Sequence, residues 1–480
     1  MSGADLIALL PILVLAAAIV VIMLVIAFFR NHVLAAGLTL VSLGLAFAAL
    51  FVAAQWAPRQ VTPLLAVDSY SLFFAGLIMA ASFAVALLSY GYLERMALQR
   101  EEFYLLLLLA TLGSIVLASA THFASFFLGL EILSVALYGM IAYPRWRQIS
   151  IEAGLKYLVL AGASSAFLLF GMALVYGELG TMEFGRMASA VAAGGSAGQS
   201  AIVLTGLSMM LVGFGFKLAV APFHLWTPDV YEGAPAPATA FVATVSKGAT
   251  FALLLRFFTQ VDIRHQPSLF LTVAVISVAS MLGGNLLALR QNNVKRILAY
   301  SSISHLGYLL VALLASGPLG PAAVAFYLVA YFVTTLGTFG VVTVLSGPDR
   351  DADSLEDYRG LFWRRPWIAG VFTAMLLSLA GIPLTAGFVG KFYLVSAGVG
   401  SALWVLVVIL VVGSGIGLYY YLRVVSVMFV RQAEGEVALV TYPSAAGSLV
   451  LGVLSVLLLW FGVYPSPLID LIQATVGRLG

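Results

Sequence analysis

Five lysines stand out in this sequence because most of them lie where a charge is costly. All but Lys295 lie within apolar stretches, whereas arginine is absent from the middle of any such stretch. Arginine keeps its proton at every accessible pH, but burial can bring the pKa of a lysine from ~10.4 toward neutrality. The division therefore indicates lysines that exchange protons. The four lysines in apolar stretches are Lys156, Lys217, Lys247 and Lys391.

One acidic residue shares this unusual setting. Glu131, in FFLGLEILSVALYGM, is the only acid in the middle of an apolar stretch. A charge at the bilayer centre costs at least ~2.5–3.5 kcal/mol, so such residues face the bundle interior or water and pair with one another. A static set of ion pairs joining helices is one interpretation. One glutamate cannot neutralise four lysines, however, and this favours titration.

Helix breakers lie beside two of the lysines. Lys217 precedes Pro222, and Lys391 follows AGIPLTAG, which contains Gly381 and Pro383. Proline removes a backbone donor and frees carbonyl groups that lipid cannot satisfy. Each break could be a simple packing kink. Two breaks in corresponding places, each near a buried lysine, are instead typical of the ion site of an inverted-repeat transporter.

Three further residues are secondary candidates for a proton relay. His305 lies in an apolar stretch beside several hydroxyl-bearing residues, and His224 follows Pro222. Each could carry a proton or simply hydrogen-bond a neighbouring helix. Lys156, near the start of its stretch, could modulate Glu131 or extend to the membrane interface. We expect Lys295, which opens an apolar stretch, to be an ordinary loop charge.

Composition shows which elements must hold these residues. The 480-residue chain is 62% hydrophobic and 9% charged, against ~25% charged in soluble proteins. About fourteen apolar stretches approach the ~20 residues needed to cross a bilayer, and no linker could hold a soluble domain. We therefore predict an all-α membrane protein forming one domain, 1–480, rather than a β-barrel. The stretches are roughly 6–29, 33–54, 69–93, 102–119, 123–143, 153–176, 200–222, 235–257, 268–288, 294–314, 321–345, 367–396, 402–427 and 446–464.

The sequence also limits chemistry and partners. The chain has no cysteine, which excludes disulfides, iron–sulfur clusters and cysteine-based zinc sites within it, and no basic patch with interleaved aromatics indicates nucleic acid. Basic residues concentrate in alternate loops, which predicts that both termini face away from the cytoplasm. The few basic residues on the predicted outward side are Arg59, Arg186, Arg256, Arg264 and Arg478.

Three segments together resemble a known family. GFGFKLAVAPFHLWTPDVYEGAPAPATAFVATVSKGATFALLLR, NLLALRQNNVKRILAYSSISHLGY and LSLAGIPLTAGFVGKFYLV resemble the antiporter-like membrane subunits of proton-translocating NADH:quinone oxidoreductase, respiratory complex I. The likeness runs over almost the whole chain, and FHLWTPDVYEGAP is similar to the subunit N version. The large subunits of multisubunit sodium/proton antiporters are more distantly similar.

The resemblance implies an architecture and residue roles. It implies two inverted five-helix repeats, 102–257 (spans 4–8) and 268–427 (spans 9–13), with helices 7 and 12 broken. Glu131 would pair with Lys217 of the broken seventh helix, and Lys247 would be the central lysine of the eighth. Lys391 would belong to the broken twelfth helix, with His305 on the polar link between Lys247 and Lys391.

The resemblance also implies a function and a setting. Protons would move along the mid-membrane lysines, driven by quinone reduction in a neighbouring subunit. The chain would hold no cofactor, while the whole complex would use FMN, iron–sulfur clusters and quinone. Partners would be subunits M, K and J and the bilayer, in a bacterial plasma (inner) membrane with periplasmic termini, or else a thylakoid membrane. The alternatives are a sodium/proton antiporter subunit without a redox partner, and a purely structural scaffold.

Overall fold

Apolar helices account for most of the fold. The computed structural model describes residues 2–96, 99–192, 200–261, 266–431 and 444–477, so Arg264 and Arg478 lie outside the described residues. The first half contains α1 (Gly3–Ala8), α2 (Leu10–Phe28), α3 (His32–Ala54), strands β1 (Arg59–Thr62) and β2 (Leu65–Val67), α4 (Ser69–Glu94), α5 (Glu101–Ser119), α6 (Phe123–Ile141), α7 (Gln148–Leu179), α8 (Phe184–Ala192), α9 (Ala201–Leu218), α10 (Trp226–Gly233), α11 (Ala236–Phe241) and α12 (Lys247–Gln260). The second half contains α13 (Pro267–Ala288), α14 (Val294–Leu314), α15 (Leu319–Leu345), α16 (Leu361–Arg364), α17 (Pro366–Ala380), α18 (Ala386–Gly400), α19 (Trp404–Phe429), α20 (Ala445–Val463) and α21 (Ser466–Thr475).

The described helices supply the predicted crossings. Within the described ranges, thirteen helical segments are long and apolar enough to span a membrane, α11 and α12 counting as one. The shorter apolar helices α17 and α18 follow each other and together supply a fourteenth crossing. The prediction of about fourteen spans is confirmed. An even number of crossings puts both ends of the chain on the same side, here called the terminal side; the other is the opposite side.

A small sheet on the terminal side was not predicted. β1 and β2 pair antiparallel, with Arg59 opposite Val67. The strand pair leads directly into α4, whose N-cap Asp68 accepts a hydrogen bond from the Ser71 backbone. The segment is too short for its alternation to stand out beside the long apolar stretches.

Both predicted helix breaks are present, and the first begins earlier than Pro222. α9 ends at Leu218, and Ala219 already has a left-handed backbone with φ 58°. Proline disfavours the helical conformation only for the residue before it, Ala221. The backbone N–H of Ala221 donates instead to Ser280 Oγ of α13, a distant part of the chain. In the twelfth span, α17 ends at Ala380, and the residue after it, Gly381, has a φ of 89°, which suits glycine.

The most buried crossings lie at the centre of the bundle. The crossings α11–α12 and α15 are 100% buried over their apolar windows and α14 is 94% buried, against 22% for α2. A π-helical turn, Val242–Ser246, joins α11 to α12 immediately before Lys247. Such turns are often found at functional sites. The breaks fall in the fourth span of each predicted repeat, while the repeat boundaries stay a prediction.

Candidate functional site

Lys217 lies in the last turn of α9, next to the first break. Its side chain is buried, and Nζ donates to Ser134 Oγ at 2.6 Å and to Tyr157 OH at 3.2 Å. The ammonium group also lies 5.3 Å from the centre of the Tyr157 ring. A cation at this position is favoured by the carboxyl end of the helix dipole. The contacts are all with neutral groups.

Glu131 lies on α6, three residues before Ser134. Its Oε1 accepts a hydrogen bond of 2.6 Å from Ser165 Oγ of α7. The expected direct ion pair between Glu131 and Lys217 is not formed among the described residues, since each is bound to its own serine. Because residues three apart share a helix face, both serine contacts lie on the same side of α6.

Lys247 begins α12 at the centre of the bundle and is almost fully buried. Its Nζ donates to Ser302 Oγ of α14 at 2.6 Å. The same hydroxyl accepts a hydrogen bond of 2.7 Å from Tyr331 of α15 and lies 3.5 Å from the Tyr231 hydroxyl. The Ser302 hydroxyl therefore contacts both the central lysine and the hydroxyl groups of two tyrosines.

His305 lies one turn beyond Ser302 on α14, between two tyrosine hydroxyls. Its Nδ1 is 2.6 Å from Tyr327 OH and its Nε2 is 3.2 Å from Tyr421 OH. Tyr421 also forms a very short hydrogen bond with Ser301. The imidazole is thus held at both nitrogens, in a pocket where it is almost fully buried.

Lys391 closes the second break. Its Nζ donates to the carbonyl oxygens of Leu379 and Ala380 at 2.8 and 2.9 Å, and to Ser414 Oγ at 2.6 Å. These carbonyls are the free ends of α17, as expected where a helix is interrupted inside a membrane. Tyr308 of α14 lies beneath the ammonium group, 5.5 Å from ring centre to Nζ.

Lys217, Lys247 and Lys391 share one property. Each is buried, and each donates only to hydroxyl or carbonyl oxygens among the described residues, with no carboxylate within ion-pair distance. Desolvation disfavours the charged form of an amine, and a contacting carboxylate restores it. These three lysines are desolvated but have no contacting carboxylate among the described residues.

The other two lysines form ion pairs on the opposite side. Lys156 pairs with Glu152 and Asp229, both at 2.8 Å, and its side chain is 42% exposed. This position corresponds to extension toward the interface rather than to contact with Glu131. Asp229 also pairs with Arg296, so the cluster joins α7, α10 and α14.

The expectation for Lys295 was wrong. It is fully buried, and Nζ donates to Asp351 at 2.7 Å and to the carbonyl of Ala234 at 2.6 Å. The cause is the loop after α15, which folds back over the start of α14. Burial raises the pKa of Asp351, but Lys295 and Arg147 outweigh burial, so the pKa lies below its ordinary value. Burial raises the pKa of neighbouring Asp353.

His224 is the remaining candidate for a proton relay. His224 is partly buried in the first break, and its Nδ1 has no hydrogen-bond partner among the described residues.

On the terminal side, Arg256 forms a bidentate ion pair with Asp68 through two hydrogen bonds of 2.8 Å. Sequence reasoning counted Arg256 only as a loop charge. Within the described residues no group of acidic or histidine side chains is placed to hold a metal ion.

The hydroxyl partners were missed by sequence reasoning. Serines and tyrosines are common in membrane helices, so their type alone is no signal. The i, i+4 spacing of Tyr327 and Tyr331 on α15, both facing α14, is a pattern that could have found two of them. Ser302 is one of the hydroxyl-bearing residues beside His305 in the sequence, and that position alone does not single it out.

A multi-span bundle with two interrupted helices, and buried lysines at and between the interruptions, defines an antiporter-like membrane protein. The family model for the NADH:quinone oxidoreductase/Mrp antiporter transmembrane region matches residues 120–417. The chain belongs to this family.

Individual relatives agree with this assignment. The chain is 51% identical over 481 residues to NADH-quinone oxidoreductase subunit N of Ectopseudomonas mendocina (strain ymp), covering 98% of this chain and 97% of that one. A chain of respiratory complex I from Thermus thermophilus with bound aureothin is 34% identical, with a TM-score of 0.82 over 96% of this chain and 98% of that one. The expected resemblance to the subunit N family is confirmed.

A more distant structure shares the fold alone. A chain of the Mrp complex from Dietzia sp. DQ12-45-1b has a TM-score of 0.87 and 21% identity, covering 100% of this chain and 98% of that one.

Proposed function

We propose that this chain is a proton-translocating membrane subunit of an NADH:quinone oxidoreductase. Protons enter from the cytoplasm and pass through Lys217, Lys247, His305 and Lys391 at mid-membrane. They leave on the far side, and the termini face the periplasm of a bacterial inner membrane. The subunit N relative and the complex I structure support the redox assignment.

The observation that carries the proposal is the state of the three buried lysines. A structural cation in a membrane protein normally pairs with a carboxylate or with backbone carbonyl groups, and Lys156 and Lys295 contact carboxylates. Lys217, Lys247 and Lys391 contact no carboxylate among the described residues, and only Lys391 of the three contacts carbonyl groups. Each has a hydroxyl within 2.6 Å. A hydroxyl can accept a hydrogen bond from an ammonium and donate one to a neutral amine. The sites therefore suit both protonation states.

Glu131 acts as the switch in this proposal. When Glu131 approaches Lys217, its charge holds the proton on the lysine, because an opposite charge favours the charged form. When Glu131 is held by Ser165, as it is here, the lysine can pass its proton on. The connection from Lys217 to Lys247 then requires water, since no hydrogen bond joins their partners among the described residues.

The driving force comes from outside the chain. Quinone reduction in a neighbouring subunit supplies the free energy, and the flavin and iron–sulfur groups belong to other parts of the complex. Subunits M, K and J are the proposed membrane partners. The relatives' names and structures support a multisubunit membrane assembly.

The test uses the assembled complex in sealed vesicles. Lys247→Ala and Glu131→Ala should abolish or strongly reduce protons pumped per NADH oxidised, while complex assembly stays normal. Lys156→Arg, which keeps a charge paired at the edge of the bundle, is the control and should pump. Full pumping by both alanine variants with normal assembly would refute the proposal.

A sodium/proton antiporter subunit is the second candidate, because the matched family includes Mrp antiporters. Purification of the native complex separates the two functions. A peripheral arm carrying flavin and iron–sulfur proteins supports the oxidoreductase, and membrane subunits alone support the antiporter.

A further inference from the structure

A buried amide, Asn285, lies next to the tyrosine that contacts Lys391. Asn285 belongs to the last turn of α13 and is fully buried, although only 39% of that crossing is buried over its apolar window. Its side chain contacts Tyr308 of α14 at 2.8 Å and Tyr420 of α19 at 3.0 Å. A single amide therefore links three helices, α13, α14 and α19, through hydrogen bonds.

The carbonyl group of Met281 fixes the orientation of this amide. A half-turn of the side chain would exchange the amide nitrogen and oxygen of Asn285. The Met281 carbonyl oxygen can only accept, so the amide atom 2.7 Å from it must be Nδ2. The second N–H of Nδ2 then donates to the Tyr308 hydroxyl, and Oδ1 accepts from the Tyr420 hydroxyl.

Two glycines of α19 leave room for the amide. A Cβ at Gly413 would lie 2.9 Å from Asn285 Nδ2 and 3.1 Å from the Tyr308 hydroxyl. A Cβ at Gly417, one turn later, would lie 3.5 Å from Asn285 Oδ1. The close approach of α19 to the bond between Asn285 and Tyr308 therefore requires a residue without a side chain at position 413.

Tyr308 contacts two of the groups in the proposed proton path. Its ring centre lies 5.4 Å from the centre of the His305 ring and 5.5 Å from Lys391 Nζ. Among the described residues Nζ forms no hydrogen bond with the Tyr308 hydroxyl, so the ammonium group faces the ring. Ser304, one turn earlier on α14, also lies near this hydroxyl. Asn285 is the contact that ties the hydroxyl to another helix.

We propose that Asn285 is a positioning residue for the second break, because through the Tyr308 hydroxyl it holds the Tyr308 ring against Lys391. This inference rests on the proposed function. The face of a tyrosine ring attracts a cation but does not accept its proton. The held ring therefore favours the protonated lysine without taking part in the relay.

The experiment uses the assembled complex in sealed vesicles. Asn285→Leu keeps a side chain of similar size and removes its hydrogen bonds, whereas Tyr308→Phe keeps the ring and removes only the hydroxyl that Asn285 holds. We expect each variant to lower the initial rate of proton pumping about threefold to tenfold, the change that one lost hydrogen bond corresponds to. The double variant should pump no more slowly than Asn285→Leu alone, because both changes break the same contact.

A matched pair of glycine variants disturbs the contact and leaves Asn285 in place. Gly413→Ala puts a methyl group against the amide, whereas Gly415→Ala on the same helix meets no neighbour within 4 Å. We expect Gly413→Ala to pump as slowly as Asn285→Leu and Gly415→Ala to pump like the wild type. This pair decides the question by the same criteria if Asn285→Leu does not assemble.

The pH profile separates positioning from a general loss of packing. In Asn285→Leu and Gly413→Ala the alkaline limb of the pumping profile should move to lower pH, because the ring no longer favours the protonated form of Lys391. A purely structural role would lower the rate equally at every pH. The other titratable side chains around Lys391 and Tyr308 come from α14, α15 and α19, while α17 and α20 contribute none. They are His305, Tyr327, Tyr420 and Tyr421.

Lys391→Ala distinguishes failure of this inference from failure of the proposed function. Loss of pumping by Lys391→Ala, together with an Asn285→Leu variant that matches Gly415→Ala in rate and pH profile, would overturn the role of Asn285 alone. A slow Asn285→Leu variant with an unchanged profile would also overturn it. Normal pumping by Lys391→Ala would remove Lys391 from the path and overturn both. A slow variant with a shifted profile supports the positioning role.

Discussion

The buried lysines are of two kinds, which differ in the groups that they contact. Lys295 is as deeply buried as Lys247, yet it contacts a carboxylate and two carbonyl groups, whereas Lys247 contacts a serine. From the sequence, Lys295 is expected to be an ordinary loop charge, because its neighbours are arginines. Residue type and burial are therefore not enough to assign a role; in the proposed mechanism, the presence or absence of a contacting carboxylate separates structural lysines from those that exchange protons.

The Lys295–Asp351 pair gives a stability prediction. Asp351→Asn leaves the buried Lys295 without its carboxylate, which costs about 3–5 kcal/mol. Lys295→Met should cost less, because Asp351 keeps its ion pair with Arg147. Each variant should lower the melting temperature of the complex. The double variant should recover part of the loss. Lys156→Met is the control, since its half-exposed ion pairs are worth about 0–1 kcal/mol. Equal melting of all variants would contradict the assigned pairing.

The Lys295–Asp351 pair also makes the stability of the folded chain depend on pH in the acid range. The pKa of Asp351 is lowered in the folded chain, because its two cationic neighbours outweigh burial. Its stabilising contribution is therefore complete above the ordinary carboxyl pKa of ~3.9 and is lost as the pH falls through the lowered value. Asp351→Asn should abolish this component of acid lability.

At the scale of elements, the second break is set by the geometry of Gly381. Its φ of 89° favours glycine, and a Cβ there would lie 2.9 Å from Lys391 Cδ. The break therefore holds the lysine as well as ending the helix. The position of each crossing, by contrast, was predictable from hydropathy alone, because length and polarity are local properties.

Gly381→Ala should disturb both functions of the break. The left-handed conformation costs about 1–2 kcal/mol with a side chain present, and the added methyl group displaces Lys391. Pumping should fall strongly while electron transfer in uncoupled vesicles continues. Gly370→Ala in the same helix meets no neighbour within 4 Å and should pump normally. Equal pumping by the two variants would show that the break geometry is unimportant.

Other element features could not be predicted. The end of α9 before Pro222, the π-helical turn before Lys247 and the β1–β2 pair depend on contacts between distant parts of the chain. The hydroxyl partners on α14 and α15 depend on helix rotation, which apolar helices buried all round do not reveal in their sequence.

At the scale of the whole molecule, the crossings predict an orientation that labelling can test. The chain has no cysteine, so single cysteines report cleanly on the tagged subunit. Glu356 and Gln473 are exposed and three crossings apart, on opposite sides of the membrane. In intact cells a membrane-impermeant maleimide should label Gln473→Cys and spare Glu356→Cys until the cells are lysed. The reverse pattern would place the termini in the cytoplasm.

The central claim is that Lys247 must release its proton, and Lys247→Arg tests it most directly. Arginine keeps the positive charge and a hydrogen-bond donor but does not give up its proton. The measurement is protons pumped per NADH oxidised by the assembled complex in sealed vesicles. The account predicts that Lys247→Arg assembles normally and pumps as poorly as Lys247→Ala. Pumping at the wild-type ratio by the arginine variant would show that only the charge matters and would contradict the account.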